Sequence, residues 1–399
     1  VVIDDTGATP ATVEELNAIQ AVASSVTYTK LRDSSENIRN NTSEGAITDI
    51  DGIAVTITDS SNVSQYTSIL TAAGNGSVAG AVADTAAALA TTQNVTLTGA
   101  TSVTAVISTA NDLVAVQLDT EVTAIEIGTN SVTNVLLDIE DLKNGNNANR
   151  TISNTGNGGS YKIKDTATIL AANDSFLEGQ TVIINDSSTA ATTTELNAIQ
   201  AGIAANNAQT GGVTYTKLTG TATSLAANTA DIIAGVAVTI DESGNNTPAD
   251  TAEINALQTA VETAGNGASL TYTKVADTSQ NLRANTGDLE GKTVTVSDAS
   301  NVADYGTLIA AVTANNAQGT VAGAVSDAVG NLGNITVTNA TSVTAVITDG
   351  TKDLTGTTLD SDVTVLDIST NSVQGAIFDI ADIDGGVTIL NTGNTGTFT

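Results

Sequence analysis

The chain repeats itself, and that property limits its fold more than any other. TVEELNAIQ (12–20) returns as TTELNAIQ (193–200) and TAEINALQ (251–258). VTYTKL (26–31) returns intact at 213–218 and as LTYTKV at 270–275. AVTITDSSNVSQY (54–66) matches TVTVSDASNVADY (293–305), and ATSVTAVI occurs at both 100–107 and 340–347. Val103 and Val343 stand 240 residues apart, Tyr66 and Tyr305 239, and Ser131 and Ser372 241. Residues 1–158 therefore form one partial copy of a long repeat and roughly 240–399 form a second. A sequence built this way is expected to bury its apolar faces between neighbouring repeats, each touching only the next.

Two textures alternate within the long repeat. In the first, a strand such as VTYTKL runs to an Asp (Asp33, Asp165, Asp277), and a short helix follows, as in DSSENIRNN (33–41) or DTSQNLRAN (277–285). Asp33 with Glu36, and Asp277 with Gln280, have capping-box spacing. A turn ending in Gly closes the helix at 49–52, 177–179 and 288–291, and a second strand follows (VTITD, VIIND, VTID, VTVSD). The ELNAIQ helix comes next, with apolar residues three and four apart: Leu196, Ile199 and Ile203; Ile254, Leu257 and Val261. Pro10 and Pro248 fit its first turn, where a missing N–H costs nothing. The second texture, 94–139 and its copy at 334–380, reads as short strands without helices, beginning at Val95, Val103, Leu113, Val122 and Val132. Hairpin signals are scarce there, and strand–helix alternation next door implies parallel strands. The expected fold is mainly β with short helices, a right-handed parallel β-solenoid. Strand–helix repeats are expected at 1–93 and 161–333, and β-helix segments at 94–160 and 334–399. Val55, Ile57, Val294 and Val296 should point inward, and Thr56, Thr58 and Thr295 outward.

Composition removes whole classes of chemistry. With no His there is no imidazole base, Ser-His-Asp triad or His-ligated metal; with no Cys there is no disulfide, thiol nucleophile or thiolate metal site. Aromatics are 2% of the chain, so the core must be built from Val, Ile, Leu and Ala. The net charge of −31 argues against nucleic acid and against an anionic membrane surface as partners. No run nears the roughly 18 apolar residues that span a bilayer. The chain opens VVIDDTG, without an initiator Met or signal peptide, and reads as a mature chain or a fragment of something longer. So many carboxylates suit a saline or cation-rich exterior, where their repulsion is screened.

Several residue sets invite a functional reading. The strand-end aspartates Asp4, Asp59, Asp186, Asp241 and Asp298 suit either a column of cation sites or local capping and turn formation, and local capping is the simpler account. The turns Asp49-Ile-Asp51-Gly52 and Asp382-Ile-Asp384-Gly385 place two carboxylates beside a Gly, which makes Asp49, Asp51, Asp382 and Asp384 candidate Ca²⁺ ligands. Asp288-Leu-Glu290-Gly291 has the same form, whereas Lys143 stands where the second copy has Asp384. Thr-x-Thr pairs at 27/29, 56/58, 96/98, 214/216, 271/273 and 336/338 put both hydroxyls on one face, as an ice-binding ladder would, though β-propensity explains them equally. Lys30, Lys162, Lys217 and Lys274 share one motif position; inter-repeat salt bridges are the expected role, and a polysaccharide lyase would need them gathered in one groove. Asn17, Asn197 and Asn255 sit inside poor helix positions and imply a bond to the backbone of a neighbouring repeat.

These segments (VTYTKL-x-D, VTVTD-A-S-NV and the NAIQ helices) resemble the very large repeat proteins of marine cyanobacteria and similar bacteria. That family consists of secreted, acidic, Cys-free cell-surface proteins, including one implicated in swimming motility; S-layer proteins share the composition. The nonapeptide Ca²⁺ arrays common in such proteins are absent here. The resemblance implies an extracellular, cell-surface structural protein forming a rod, filament or surface coat, with adhesion a further role. Its expected partners are copies of itself and cell-surface polysaccharide, with no nucleic acid and no membrane insertion, and no enzyme activity is expected. A polysaccharide- or ice-binding solenoid module is the alternative.

Overall fold

Parallel strands cannot be joined by a tight hairpin; each pair needs a crossover long enough to return to the same end of the sheet. The sequence supplies those crossovers as short helices or as turns, and the sheets follow from them. The computed structural model describes residues 1–7, 9–44, 50–143, 149–156, 158–205, 211–244, 246–333, 337–348, 354, 359–369, 373–377 and 386–391. It divides into two compact units, Val1–Thr189 with Thr194–Tyr215, and Ala190–Thr193 with Thr216–Thr399.

In the first unit a six-stranded sheet runs in the order Lys30–Asp33, Ala54–Ser61, Val78–Thr85, Ala100–Val106, Ala124–Glu126, Thr151–Ser153. A second sheet orders Val135–Leu137, Tyr161–Asp165, Thr181–Ile184 and Gly212–Thr214. The second unit has a four-stranded sheet, Ala191–Thr192, Lys217–Gly220, Ala237–Ile240, Ser269–Thr271. Its six-stranded sheet runs Lys274–Asp277, Thr293–Ser300, Thr320–Ala328, Ala340–Val346, Val365–Asp367, Thr388–Leu390. Pairing within these sheets is parallel throughout. The two antiparallel contacts, Ala90 with Leu118 and Lys143 with Asn149, are isolated bridges.

The fold is mixed α/β, not mainly β as the sequence suggested. Ten α-helices lie among the described residues, up to the 14 residues of Thr251–Ala264, and they serve as crossovers. The ELNAIQ segments form Val13–Gln20, Thr193–Ile203 and Thr251–Ala264, with Leu16, Leu196, Ile199, Ile254 and Leu257 buried. Pro10 and Pro248 lie outside these helices: the caps are Thr12 and Asp250, so each proline precedes its cap by two residues. Of the expected strands, those at Val95 and Val132 are irregular chain and that at Leu113 is a turn; Leu113 and Val132 are nonetheless buried. The second texture also ends in a one-turn helix, Ile139–Leu142, where none was expected. VTYTKL-type segments are corners between two strands, not one strand. In 269–277 the chain leaves Thr271 in one sheet and enters the next at Lys274, with Tyr272 turned inward and 7% exposed.

Inward and outward faces follow the two-residue period. Val55, Ile57, Val294 and Val296 are buried, while Thr56, Thr58 and Thr295 are exposed. In register, Leu31 stacks on Val55 and Val55 on Val78; in the second copy Val275 stacks on Val294 and Val294 on Val321. Both copies carry the same irregularity, between Thr56 and Ser60 and between Thr295 and Ala299. There the strand swells toward its neighbour, which is glycine each time. A Cβ on Gly80 would lie 2.7 Å from the Cβ of Ile57, and one on Gly323 2.6 Å from that of Val296. Tyr66 and Tyr305, on the helices that follow the bulged strands, are both fully buried. Each hydroxyl lies within hydrogen-bond distance of two carbonyls and shares its one proton between them: Val78 and Thr98 for Tyr66, Val321 and Thr338 for Tyr305.

Gly80→Ala is expected to destabilise the protein by about 1–3 kcal/mol, and Gly323→Ala similarly, because the neighbouring backbone must shift. Gly287→Ala, which meets open space, should cost less than about 0.5 kcal/mol. Urea unfolding midpoints of the three variants check this.

Candidate functional site: carboxylates shared between repeats

A helix start leaves backbone N–H groups unpaired, and a side-chain oxygen must take them. Here one carboxylate does so for two helices at once. Asp277 Oδ1 accepts from Thr278 N (2.7 Å) and Asn281 Nδ2 (2.9 Å), at the start of its own helix. Its Oδ2 accepts from Thr251 Oγ1 (2.6 Å) and Thr251 N (3.1 Å), at the start of the helix before. Asp33 repeats this with Ser34 N (2.8 Å), Asn37 Nδ2 (2.9 Å) and Val13 N (2.9 Å). Asp327 does so with Ala328 N (2.7 Å), Asn331 Nδ2 (2.8 Å) and Val302 N (3.1 Å). Asp84 joins Thr85 N to Val63 N, and Asp165 joins Thr166 N to Ile139 N. From inside the repeated bulge, Asp59 takes Ser35 N and Asp298 takes Ser279 N, each at 2.6 Å.

The sequence had placed these groups in the right texture but with the wrong partners. Asp33 and Asp277 stand one residue before the caps, Ser34 and Thr278, which receive Asn37 N and Asn281 N; Glu36 and Gln280 close no box. Of the strand-end aspartates, Asp4 and Asp241 do close local turns, with Thr6 and with Ser243 and Asn246. Asp186 is buried. The helical asparagines reach side chains, not backbone: Asn17 Nδ2 donates to Asn41 Oδ1 and Asn255 Nδ2 to Asn285 Oδ1, both at 3.0 Å. Asn197 is exposed. Lys143 donates to Asn173 Oδ1, occupying the same relation by a longer side chain. Lys274 puts its ammonium on the Glu242 carbonyl (3.0 Å), not on a carboxylate. Arg283 and Asp304 form an ion pair at 2.8 Å, away from that lysine position.

Of the four candidate calcium ligands, Asp49, Asp382 and Asp384 lie outside the described residues. Asp51 Oδ1 accepts from Asn75 N at 2.8 Å, tying its turn to the next repeat. The related turn at Asp288 and Glu290 sends its two carboxylates to opposite sides: Asp288 accepts from Gln258 in the helix before, Glu290 from Asn315 in the turn after. Among the described residues no three acidic groups are arranged to hold a metal ion.

Two carboxylates are more deeply set. Glu126 accepts from Gly128 N (2.6 Å), Thr129 N (2.9 Å), Thr155 N (3.1 Å) and the hydroxyls of Thr155 and Ser153. Burial works against its charge, but those donors outweigh it and hold the carboxyl down at about 2. Asp141 is the opposite case. It closes a capping box with Asp138 at the start of Ile139–Leu142, is 3% exposed, and burial first, then the charge of Asp138, push it up to about 7. Beside it Arg150, 6% exposed, spends its guanidinium on carbonyls: Val122, Glu140, Asp141, Leu118 and Asp119. No sequence signal marks Arg150, since it lacks a counterpart in the second copy, where Val387 precedes the matching Thr388.

No protein-family model, curated protein or solved structure matches this chain. No helix among the described residues is long and apolar enough to cross a membrane.

For Asp277, burial raises the carboxyl, and the bonds from Thr251, Asn281 and Thr278 more than reverse it, leaving it below its ordinary value. A carboxylate held low contributes stability at neutral pH that is lost as pH falls below about 4. Asp277→Ala is expected to cost about 1–2 kcal/mol at pH 7, since it uncaps two helices, and to make acid unfolding shallower. Denaturant titrations at pH 7 and pH 3 measure both.

Proposed function

We propose that this chain is a length of an extracellular structural repeat protein. It is folded as a right-handed parallel solenoid, displayed at a cell surface, and assembled with copies of itself into a rod, filament or coat that contacts surface polysaccharide. The reading rests on one observation above the rest: successive repeats are joined by the same shared carboxylate, as at Asp33, Asp84 and Asp277. Contacts of that kind extend a chain by adding repeats. They serve length and stiffness, not the gathering of reactive groups in one cleft, so no catalytic role is assigned. The right hand follows from the strong preference of parallel crossovers. Negatively stained particles are expected to be elongated or fibrous; compact globules would overturn the reading.

With a charge of −31, stability and assembly should rise from low to high NaCl as the Debye length shrinks from about 30 Å to a few Å. Thermal melts and sedimentation across that range test this. Matched ionic strength in CaCl₂ adds a second arm: a rise specific to Ca²⁺ and abolished by Asp49→Asn with Asp51→Asn would add the cation to the proposal, and equal melts would leave screening alone.

One feature favours the alternative of a module that binds ice or a regular polymer. Thr192, Thr219, Thr239 and Thr271 stand in register across the four-stranded sheet of the second unit, on strands spaced by about 4.8 Å. None of the first copy's pairs does this, as Thr56 lies between Arg32 and Ala79. Inhibition of ice recrystallisation that Thr239→Tyr abolishes would support this second reading, and no effect of the parent protein on ice would remove its ice-binding form.

A further inference from the structure

The buried group left without a role is Asp141. Capping boxes recur in this chain, as Thr12 with Glu15 and Asp250 with Glu253, and in each the acid has help. Glu15 is exposed to water, and Glu253 also accepts the hydroxyl of Thr223 at 2.6 Å. Asp141 has neither. Its carboxylate accepts one hydrogen bond, from Asp138 N at 3.0 Å, while Asp138 Oδ1 accepts from Asp141 N at 2.8 Å. Two carboxylates thus face each other across a single helical turn.

The surrounding charges relieve this only in part. Glu140 lies between the pair, and Asp119 and Asp165 add negative charge from neighbouring segments. Lys164 lines the cleft beside Asp138 and Asp141. Lys143, at the end of the same helix, is turned to Asn173. Arg150 is the nearest cation, yet it donates to the main-chain carbonyl of Asp141 (3.1 Å) and to four other carbonyls, so its donors are committed to holding the segments 118–122 and 140–141 together. Clefts of about 280 and 360 Å³ open beside Asp138 and Asp141, giving solvent protons a path to them.

We propose that Asp141 is a proton-operated latch in the first unit: the repeat around Ile139–Leu142 and Arg150 closes on the protonated carboxyl and loosens when the proton leaves. Unfolded, this carboxyl titrates at the ordinary Asp value of about 4; folded, burial and then Asp138 push it up to about 7, against the pull of Asp138 N–H and Arg150. A raised carboxyl gives stability that is fully present below about pH 4 and lost as the pH climbs to about 7. This is opposite in sign to the shared aspartates such as Asp277: acidification from about pH 7 toward pH 4 tightens this junction, and only below about pH 4 are those weakened.

Amide exchange of residues 139–142 and 150 in the full chain, followed from pH 5 to 8 with the intrinsic exchange rate divided out, reads the latch directly. The opening equilibrium is expected to rise about tenfold per pH unit up to about pH 7 and then level off. Asp141→Asn keeps the acceptor oxygen but cannot ionise, so its opening should be flat with pH and smaller than the parent's at pH 8. The same pH slope in parent and variant, or no slope in the parent, would overturn the proposal. Carbon-detected titration of the unsubstituted protein's aspartates decides independently of whether the variant folds: a midpoint near 7 for Asp141 supports the latch, and one below 5 rules it out.

Discussion

Helix N-termini set the terms for this protein. Parallel strands force a crossover in every repeat, most crossovers in the strand–helix texture are helices, and each helix brings N–H groups that nothing within it can satisfy. The solution recurs from Asp33 to Asp327: an aspartate at the end of one strand serves its own helix with one oxygen and the preceding helix with the other. Such a bond fixes the spacing of neighbouring repeats as well as capping them. A chain with so few aromatics and no disulfide therefore gains between-repeat order from charge-assisted bonds, which are stronger than neutral ones, while Val and Ile ladders supply the apolar contact. The negative charge that looks excessive in the composition is in part structural.

The patterns that survive at short range were legible in the sequence. Alternation in VTITD and VTVSD gave the inward Val55, Ile57, Val294 and Val296, and the three-and-four spacing gave the ELNAIQ helices. What escaped was longer-range. Asp33 and Val13 are partners 20 residues apart and Asp277 and Thr251 26 apart, and no local signal distinguishes that from a cap on the Asp's own helix. Tyr272 reads as a strand residue in VTYTKL-type segments because Tyr favours strands, yet it turns a corner with its hydroxyl on the Asp288 carbonyl at 2.9 Å. The Asp-x-Asp/Glu-Gly turns suggested paired ligands, but alternate residues point apart, and at Asp288 and Glu290 each finds a different neighbour. Arg150 has no counterpart to announce it, since Val387 stands at its place in the second copy, and although Asp141 recurs as Asp382, no local signal shows that Asp141 is buried.

The two copies also show which features the repeat holds constant. The bulge, the glycine facing it and the doubly bonded tyrosine recur together at Ile57, Gly80 and Tyr66 and at Val296, Gly323 and Tyr305. The swollen strand needs a neighbour without a side chain, and in each copy a buried tyrosine sets its hydroxyl between two carbonyls of the segments that follow. The segment around Arg150 is not constant. There the first copy carries Lys143 and Arg150 where the second has Asp384 and Val387, so the copies differ there in both charge and length.

Tyr66 and Tyr305 have an optical consequence. The chain has six tyrosines and no tryptophan, so its near-ultraviolet signal comes almost wholly from phenol rings. Two of these are sealed from water, in matching positions of the two copies, with their hydroxyls bonded to backbone, and burial pushes their ionisation above the ordinary phenol range. They are built-in chromophores, one in each unit, reporting on the packing of matched layers without any label.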